Sequence, residues 1–286
     1  MTWELALDIF LDALKDSALV FAFVFVIHVI ISFFENKMAS VLIKHQKIAP
    51  LFGSIFGLIP QCGTSVLGAD LFLKRHITIG TLCAIFLSCS DESFIVLLAH
   101  PSDKTIMVLP LIAYKLVIGF VIGFALDLII RKQEINKEEY VGEEHCHEHH
   151  HENTKLHQHL VHPLLHALEL FAYVLAINLI LGFIIGFVGE ENFANFIISN
   201  KYLSPLFCSI IGLIPNCASS VLLCELFIDG NIAFGSLLAG LLVNAGLGLM
   251  VLLKSKGNLK NILIIVCTLF ITGVLFGYLH SLIFGF

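Results

Sequence analysis

Pro50-Leu-Phe-Gly-Ser-Ile-Phe-Gly-Leu-Ile-Pro60-Gln-Cys62-Gly-Thr-Ser65-Val-Leu67 returns later in the chain as Pro205-Leu-Phe-Cys-Ser-Ile-Ile-Gly-Leu-Ile-Pro215-Asn-Cys217-Ala-Ser-Ser220-Val-Leu222. Pro60 and Pro215 are 155 residues apart, and the same offset relates Asp70-Leu-Phe to Glu225-Leu-Phe and Gly80-Thr-Leu to Gly235-Ser-Leu. The chain therefore reads as two related halves, a duplication found in many secondary transporters. Composition says where they sit. Of the 286 residues 58% are hydrophobic and 13% charged, against about 25% charged in ordinary soluble domains. The mean hydropathy is +0.94. Uncharged runs at 17–34, 170–189, 230–253 and 261–286 reach the roughly 18 to 20 residues that span a bilayer. An all-α polytopic membrane protein is expected, and an ordinary soluble enzyme is excluded.

The net charge of -6 comes from acids scattered in loops, with no basic footprint for nucleic acid. Met1-Thr2-Trp3-Glu4 lacks the positive start of a signal peptide, so the first span is expected to stay in the mature protein. The eight cysteines show no disulfide-framework spacing and read as free thiols, with Cys83, Cys208, Cys224 and Cys267 as small apolar fillers.

Each proline segment is either one kinked span or a hairpin that enters and leaves by the same face. With hairpins, Lys37, Lys44, Lys47, Lys74, Arg75, Arg131, Lys132, Lys137, Lys155, Lys254, Lys256 and Lys260 share one face and Lys15, Lys104 and Lys201 the other, twelve against three. With single crossings the split is eight against seven. The positive-inside rule selects hairpins. Three full crossings per half follow, near 17–34, 77–99 and 106–130, then near 168–188, 232–253 and 261–284. An odd number inverts the second half relative to the first. The expected fold is two inverted repeats, each with three full spans and one re-entrant helical hairpin, giving ten helical segments. The repeats occupy 1–130 and 166–286, and 131–165 is a cytoplasmic His-rich linker.

Arms of about a dozen residues rise only about 18 Å, short of the roughly 30 Å core, so the two tips should meet near mid-membrane. Pro60 and Pro215 break the helix there and free backbone carbonyls, while the second arms begin with amides pointing at the same place. Gln61, Cys62, Thr64 and Ser65 in one half and Asn216, Cys217, Ser219 and Ser220 in the other add polar side chains, the pattern that points to a transporter site. Small polar residues also serve close helix packing, but a tetrad repeated beside a proline break favours function. The third segment carries Ser88-Cys89-Ser90-Asp91-Glu92, expected near mid-membrane if the helix is continuous. Two carboxylates there cost about 2.5 to 3.5 kcal/mol each and call for a cation, a proton or a partner. The alternative is a surface loop between two short helices. Asn244 aligns with Cys89 in the second half, where no acid remains, so the site is asymmetric and acidic. Asp70, Lys115 and Glu225 are candidates for proton coupling, although the two acids also suit interfacial positions near the hairpin bases. Lys115 could pair with a carboxylate or snorkel to the nearer face.

Nine of the 14 histidines fall between 145 and 166. His145, Cys146, His147, His149, His150 and His151 read as an accessory metal-binding tract of low selectivity, with a plain solvated linker as the alternative. The formal match of His147-Glu148-His149-His150-His151 to a zinc-protease pattern lies in low-complexity sequence and is accidental.

The paired Leu-Ile-Pro-Gln-Cys-Gly and Leu-Ile-Pro-Asn-Cys-Ala-Ser-Ser motifs, the Ser-Asp-Glu after the first, Gly235-Ser-Leu-Leu-Ala-Gly and the central His-rich loop resemble the ten-transmembrane heavy-metal exporters. Members of that family are described as manganese transporters or arsenic efflux proteins. The resemblance covers nearly the whole chain and implies metal or metalloid efflux. Oxygen donors from Asp91 and Glu92 suit manganese, the first candidate, exported from bacteria across the inner membrane by proton antiport with both termini outside the cytoplasm. Thiols of Cys62, Cys89 and Cys217 suit the runner-up, arsenite or an organoarsenical. An intramembrane metalloenzyme and a metal-sensing receptor are further readings. No nucleotide-binding motif is present, which excludes an ATP-driven pump within this chain. The metal is substrate, no cofactor is expected, and a homo-oligomer is left open.

Overall fold

A computed structural model describes residues 40–59, 62–90, 93–99, 106–130, 200–215, 217–254 and 259–285, with single helical positions between 10 and 25 and between 164 and 183. Among the described residues there is no strand. In the first half the helices are α1 (Ala49–Gly57), α2 (Cys62–Leu73), α3 (Ile79–Ser88), α4 (Ser93–Ala99) and α5 (Val108–Ile129). In the second they are α6 (Ser204–Gly212), α7 (Cys217–Ile228), α8 (Phe234–Val243), α9 (Gly246–Lys254) and α10 (Leu259–Phe284). The bounds of α1, α2 and α3 recur in α6, α7 and α8 at the offset of the sequence repeat.

Local chemistry explains the bounds. Pro50 and Pro205 sit in the first turns of α1 and α6, where a missing amide costs no helical hydrogen bond. Thr78 caps α3, its side chain accepting from the Thr81 amide at 3.1 Å. The segments 77–99 and 232–253, expected as continuous crossings, are instead each interrupted: α3 ends at Ser88 and α4 begins at Ser93, while α8 ends at Val243 and α9 begins at Gly246. Hydroxyls explain the first interruption. Ser88 Oγ donates to the carbonyls of Ala84 and Ile85, and Ser90 Oγ donates to that of Ser88. Such side-chain bonds compete with amides for the last carbonyls of a helix. At the second, Asn244 Oδ1 accepts from the Gly246 amide at 2.9 Å. Gly246 has φ +56°, a left-handed turn open to a residue without Cβ.

α5 and α10 are unbroken and, with Phe234–Lys254, are long and apolar enough to cross a membrane. α5 packs on α3 and α10 on α8 through matched glycines. A Cβ on Gly123 would lie 2.5 Å from Gly80 O, and one on Gly277 would lie 2.8 Å from Gly235 O. Such small-residue seams let helix backbones approach where lipid supplies no hydrophobic drive for association. The first arms follow the same plan, α1 against α3 and α6 against α8.

The second arms cross between halves. α2 packs on α9, and α7 packs on α4. The Gly248 amide donates to Ser65 Oγ at 3.2 Å, and Cys224 Sγ donates to the Ser93 carbonyl at 3.6 Å. Ser93 and Gly248 are equivalent positions under the repeat. Each post-break helix is therefore tied to a helix of the other half, α4 to α7 and α9 to α2.

The chain groups into two compact units, one of residues 1–40 and 138–190 and one of 41–137 and 191–286. Each unit draws on both sequence halves. All ten labelled helices belong to the second unit. The expected spans near 17–34 and 168–188 fall largely outside the described residues, as does the linker from 131 to 165.

Candidate functional site

Two buried helix breaks and the starts of α2 and α7 form the candidate site. In the first break Ser88, Cys89, Ser90 and Ser93 are all at most 1% exposed, so the described residues on either side of positions 91 and 92 lie inside the protein. Non-helical backbone at membrane depth is tolerated in such a place. Ser93 Oγ donates to the Ser90 carbonyl at 2.7 Å. The hydroxyl protons of Ser88, Ser90 and Ser93 thus go to the chain's own backbone, and what each oxygen still offers is lone pairs. Lone-pair oxygens suit a hard cation.

Lys115 does not snorkel. It is 1% exposed on α5, and its ammonium donates to the carbonyl of Cys89, the residue capping the C-terminal end of α3. A cation there also meets the negative end of a helix dipole. Asp91 and Glu92 lie between Ser90 and Ser93 in sequence and outside the described residues.

The second break has no ionisable residue among positions 243–246. Asn244 Nδ2 donates to Ser219 Oγ at 3.5 Å, and Ser219 Oγ donates to the Ile214 carbonyl at 3.2 Å. These bonds stitch the break to the start of α7 and to the chain just after α6. Thr64, Ser65, Ser219 and Ser220 are buried near the starts of α2 and α7. Pro215 stands in the gap between α6 and α7. Cys62 and Cys217 begin α2 and α7, and their side chains lie outside the described residues. Pro60, Gln61, Asn216 and the tract from His145 to His151 also lie outside them.

The acids on the second arms are set apart. Asp70 pairs with Lys74 one turn on at 3.0 Å, and Glu225 is exposed on α7. Among the described residues no three His, Cys, Asp or Glu side chains gather to hold a metal. Two roles are absent from the sequence reading, which makes Cys224 a small apolar filler and is silent on Asp127. Cys224 is buried and bonds the Ser93 carbonyl, so it seals the first break and does more than fill space, whereas Cys267 is exposed on α10. Asp127 on α5 accepts from Thr78 Oγ1 at 2.8 Å and from the Gly80 amide at 3.0 Å, capping α3 from a neighbouring helix. An isolated acid in an apolar span was the available signal for Asp127; Cys224 gave none.

Over residues 2–190 and 166–284 the chain matches the family model described as "Putative, 10TM heavy-metal exporter". The chain belongs to this family. No curated protein and no solved structure matches it. Membership places the buried breaks in a multi-pass membrane protein of a heavy-metal exporter family.

Proposed function

We propose that this exporter moves a divalent metal ion, with manganese the first candidate, out of the bacterial cytoplasm across the inner membrane in exchange for protons. The observation that carries the reading is the first break, where three buried serine oxygens present lone pairs beside a sequence position holding two carboxylates. Asp91 and Glu92 would supply hard oxygen ligands, with Gln61, Asn216, Asn244 and nearby hydroxyls completing the shell. Oxygen donors of this kind suit manganese. Proton exchange at the same carboxylates would couple inward proton flow to metal release, with Asp70 and Glu225 as further proton-bearing candidates. The two hairpins would enter from opposite faces, and the His-rich linker would gather metal on the cytoplasmic side.

Alternating access would use the crossed seams, since each post-break helix is tied to the other half's hairpin. A second reading, export of trivalent arsenic, rests on Cys89, buried within the break, together with Cys62 and Cys217 at the arm starts. Uptake of manganese and of arsenite, each alone, into inverted vesicles with an imposed pH gradient tests both. Gradient-driven manganese uptake is expected. Arsenite uptake with none of manganese would replace the first reading by the second.

A further inference from the structure

The packing seams give Asp127 and Ser281 equivalent places. Each lies one turn beyond the glycine that meets the start of a helix, Gly123 against Gly80 on α3 and Gly277 against Gly235 on α8. A Cβ on Gly80 would lie 2.3 Å from Asp127 Oδ1, and one on Gly235 would lie 2.2 Å from Ser281 Oγ. The two helix starts are finished differently. On α3 the Asp127 carboxylate accepts from the Gly80 amide and from Thr78 Oγ1. On α8 the capping residue is Ala233, which makes no side-chain bond, and serine stands in place of the acid. The Gly235 amide lies in the first turn, where no intrahelical acceptor is available. Ser281 is 1% exposed, and its Oγ is buried with no hydrogen-bond partner among the described residues. Nδ1 of the adjacent His280 is buried and unpartnered in the same way, with its ring 4.8 Å from that of Phe234, the first residue of α8. A buried hydroxyl in that condition calls for a water or an ion.

We propose that the start of α8 is a halide site, where a small monovalent anion is held between the Gly235 amide and the Ser281 hydroxyl, as the Asp127 carboxylate is held on α3. The first half shows what this position accepts: a negative charge that takes a proton from the helix's first turn. The second half keeps the glycine and the N-terminal end of a ten-residue helix, whose dipole favours an anion, and omits the carboxylate. A monatomic ion suits the place, because a Cβ on Gly235 would already lie 2.8 Å from Gly277 O and backbones this close leave no room for phosphate or an organic acid. Asp229, the acid of the preceding turn, is exposed and leaves the buried position to an ion from solution. One half thus carries its capping anion in the chain, and the other borrows it. The inference is independent of which metal the protein exports.

Thermal unfolding of the purified full chain in detergent, with chloride exchanged for gluconate at constant ionic strength, tests it. Chloride or bromide should raise the wild-type midpoint saturably, by about 2 to 4 °C, the shift that a ligand at roughly ten times its Kd gives a protein of this size. Ser281→Ala should lose most of that rise and keep its midpoint in gluconate. Ala233→Thr combined with Ser281→Asp installs the cap of the first half. It should reach in gluconate the midpoint that wild type reaches in chloride, and gain nothing further from halide. A wild-type midpoint indifferent to halide overturns the proposal, and is the result expected if Ser281 bonds back to the Gly277 carbonyl or holds a water. A halide rise that survives in Ser281→Ala also overturns it, because the ion then binds elsewhere. If the double variant fails to fold, the comparison of wild type with Ser281→Ala still decides.

Discussion

At the scale of single residues, the first break divides its polar groups by what they have left to offer. The serine hydroxyls of positions 88, 90 and 93 have donated their protons to backbone carbonyls, so removing one costs local structure as well as a ligand. Asp91 and Glu92 are the cleaner probes. Asp91→Asn and Glu92→Gln should each reduce vesicle uptake of metal by tenfold or more while leaving membrane levels unchanged, because a lost charge alters cation balance before it alters packing. Normal uptake in both variants would move the substrate elsewhere. The thiols separate the two substrate classes. Cys62→Ser combined with Cys217→Ser should end arsenite uptake, which needs soft ligands, and leave manganese uptake with altered affinity. Equal loss of both substrates would replace the oxygen-centred site by a thiol-centred one. Much of this was legible: proline, amide, thiol and hydroxyl recur at fixed offset, and Asn244 aligns with Cys89. The bond from Cys224 to Ser93 was not, because it joins residues 131 apart that no local pattern relates.

At the scale of helices, repetition was readable and interruption was not. The starts of α1 and α6 follow from Pro50 and Pro205, whose effect on the backbone is local. The segments 77–99 and 232–253 look continuous in hydropathy because hydropathy counts side chains and ignores which partner a carbonyl chooses. Serine and asparagine make that choice here, and glycine permits the turn. Close approach between halves gives a direct test. A Cβ on Gly248 would lie 2.4 Å from Ser65 O and 2.8 Å from the Phe86 ring. Gly248→Ala should therefore push α9 from α2 and destabilise the protein by about 1 to 3 kcal/mol, the usual cost of overpacking. Thermal unfolding in detergent measures it, and an unchanged midpoint would mean the seam is looser than described. Asp127 tests an end of the same helix system. Asp127→Asn keeps the shape and loses the charge on the bonds to Thr78 and Gly80. A stability loss of about 1 to 2 kcal/mol is expected by the same measurement; an unchanged midpoint would show that the charge is not needed to cap α3.

At the scale of the whole molecule, symmetry bears on direction. The equivalence of Ser93 and Gly248, each held by the other half's second arm, is what a two-fold relation between repeats produces. If three segments of each half cross the bilayer and each hairpin returns to its own face, the halves run in opposite senses and that two-fold axis lies in the membrane plane. Parallel halves would require a different count of crossings. On that arrangement the twelve-to-three division of lysine and arginine would put the linker from 131 to 165 on the cytoplasmic side and both termini outside. A cysteine placed near His157, on a background lacking the native Cys146, should stay unlabelled by a membrane-impermeant maleimide in intact cells and react after the cells are opened. One placed near Thr2 should react in intact cells. Labelling near His157 from outside would make the proline segments single crossings, return the charge count to eight against seven, and leave the crossed seams as the packing of two parallel halves.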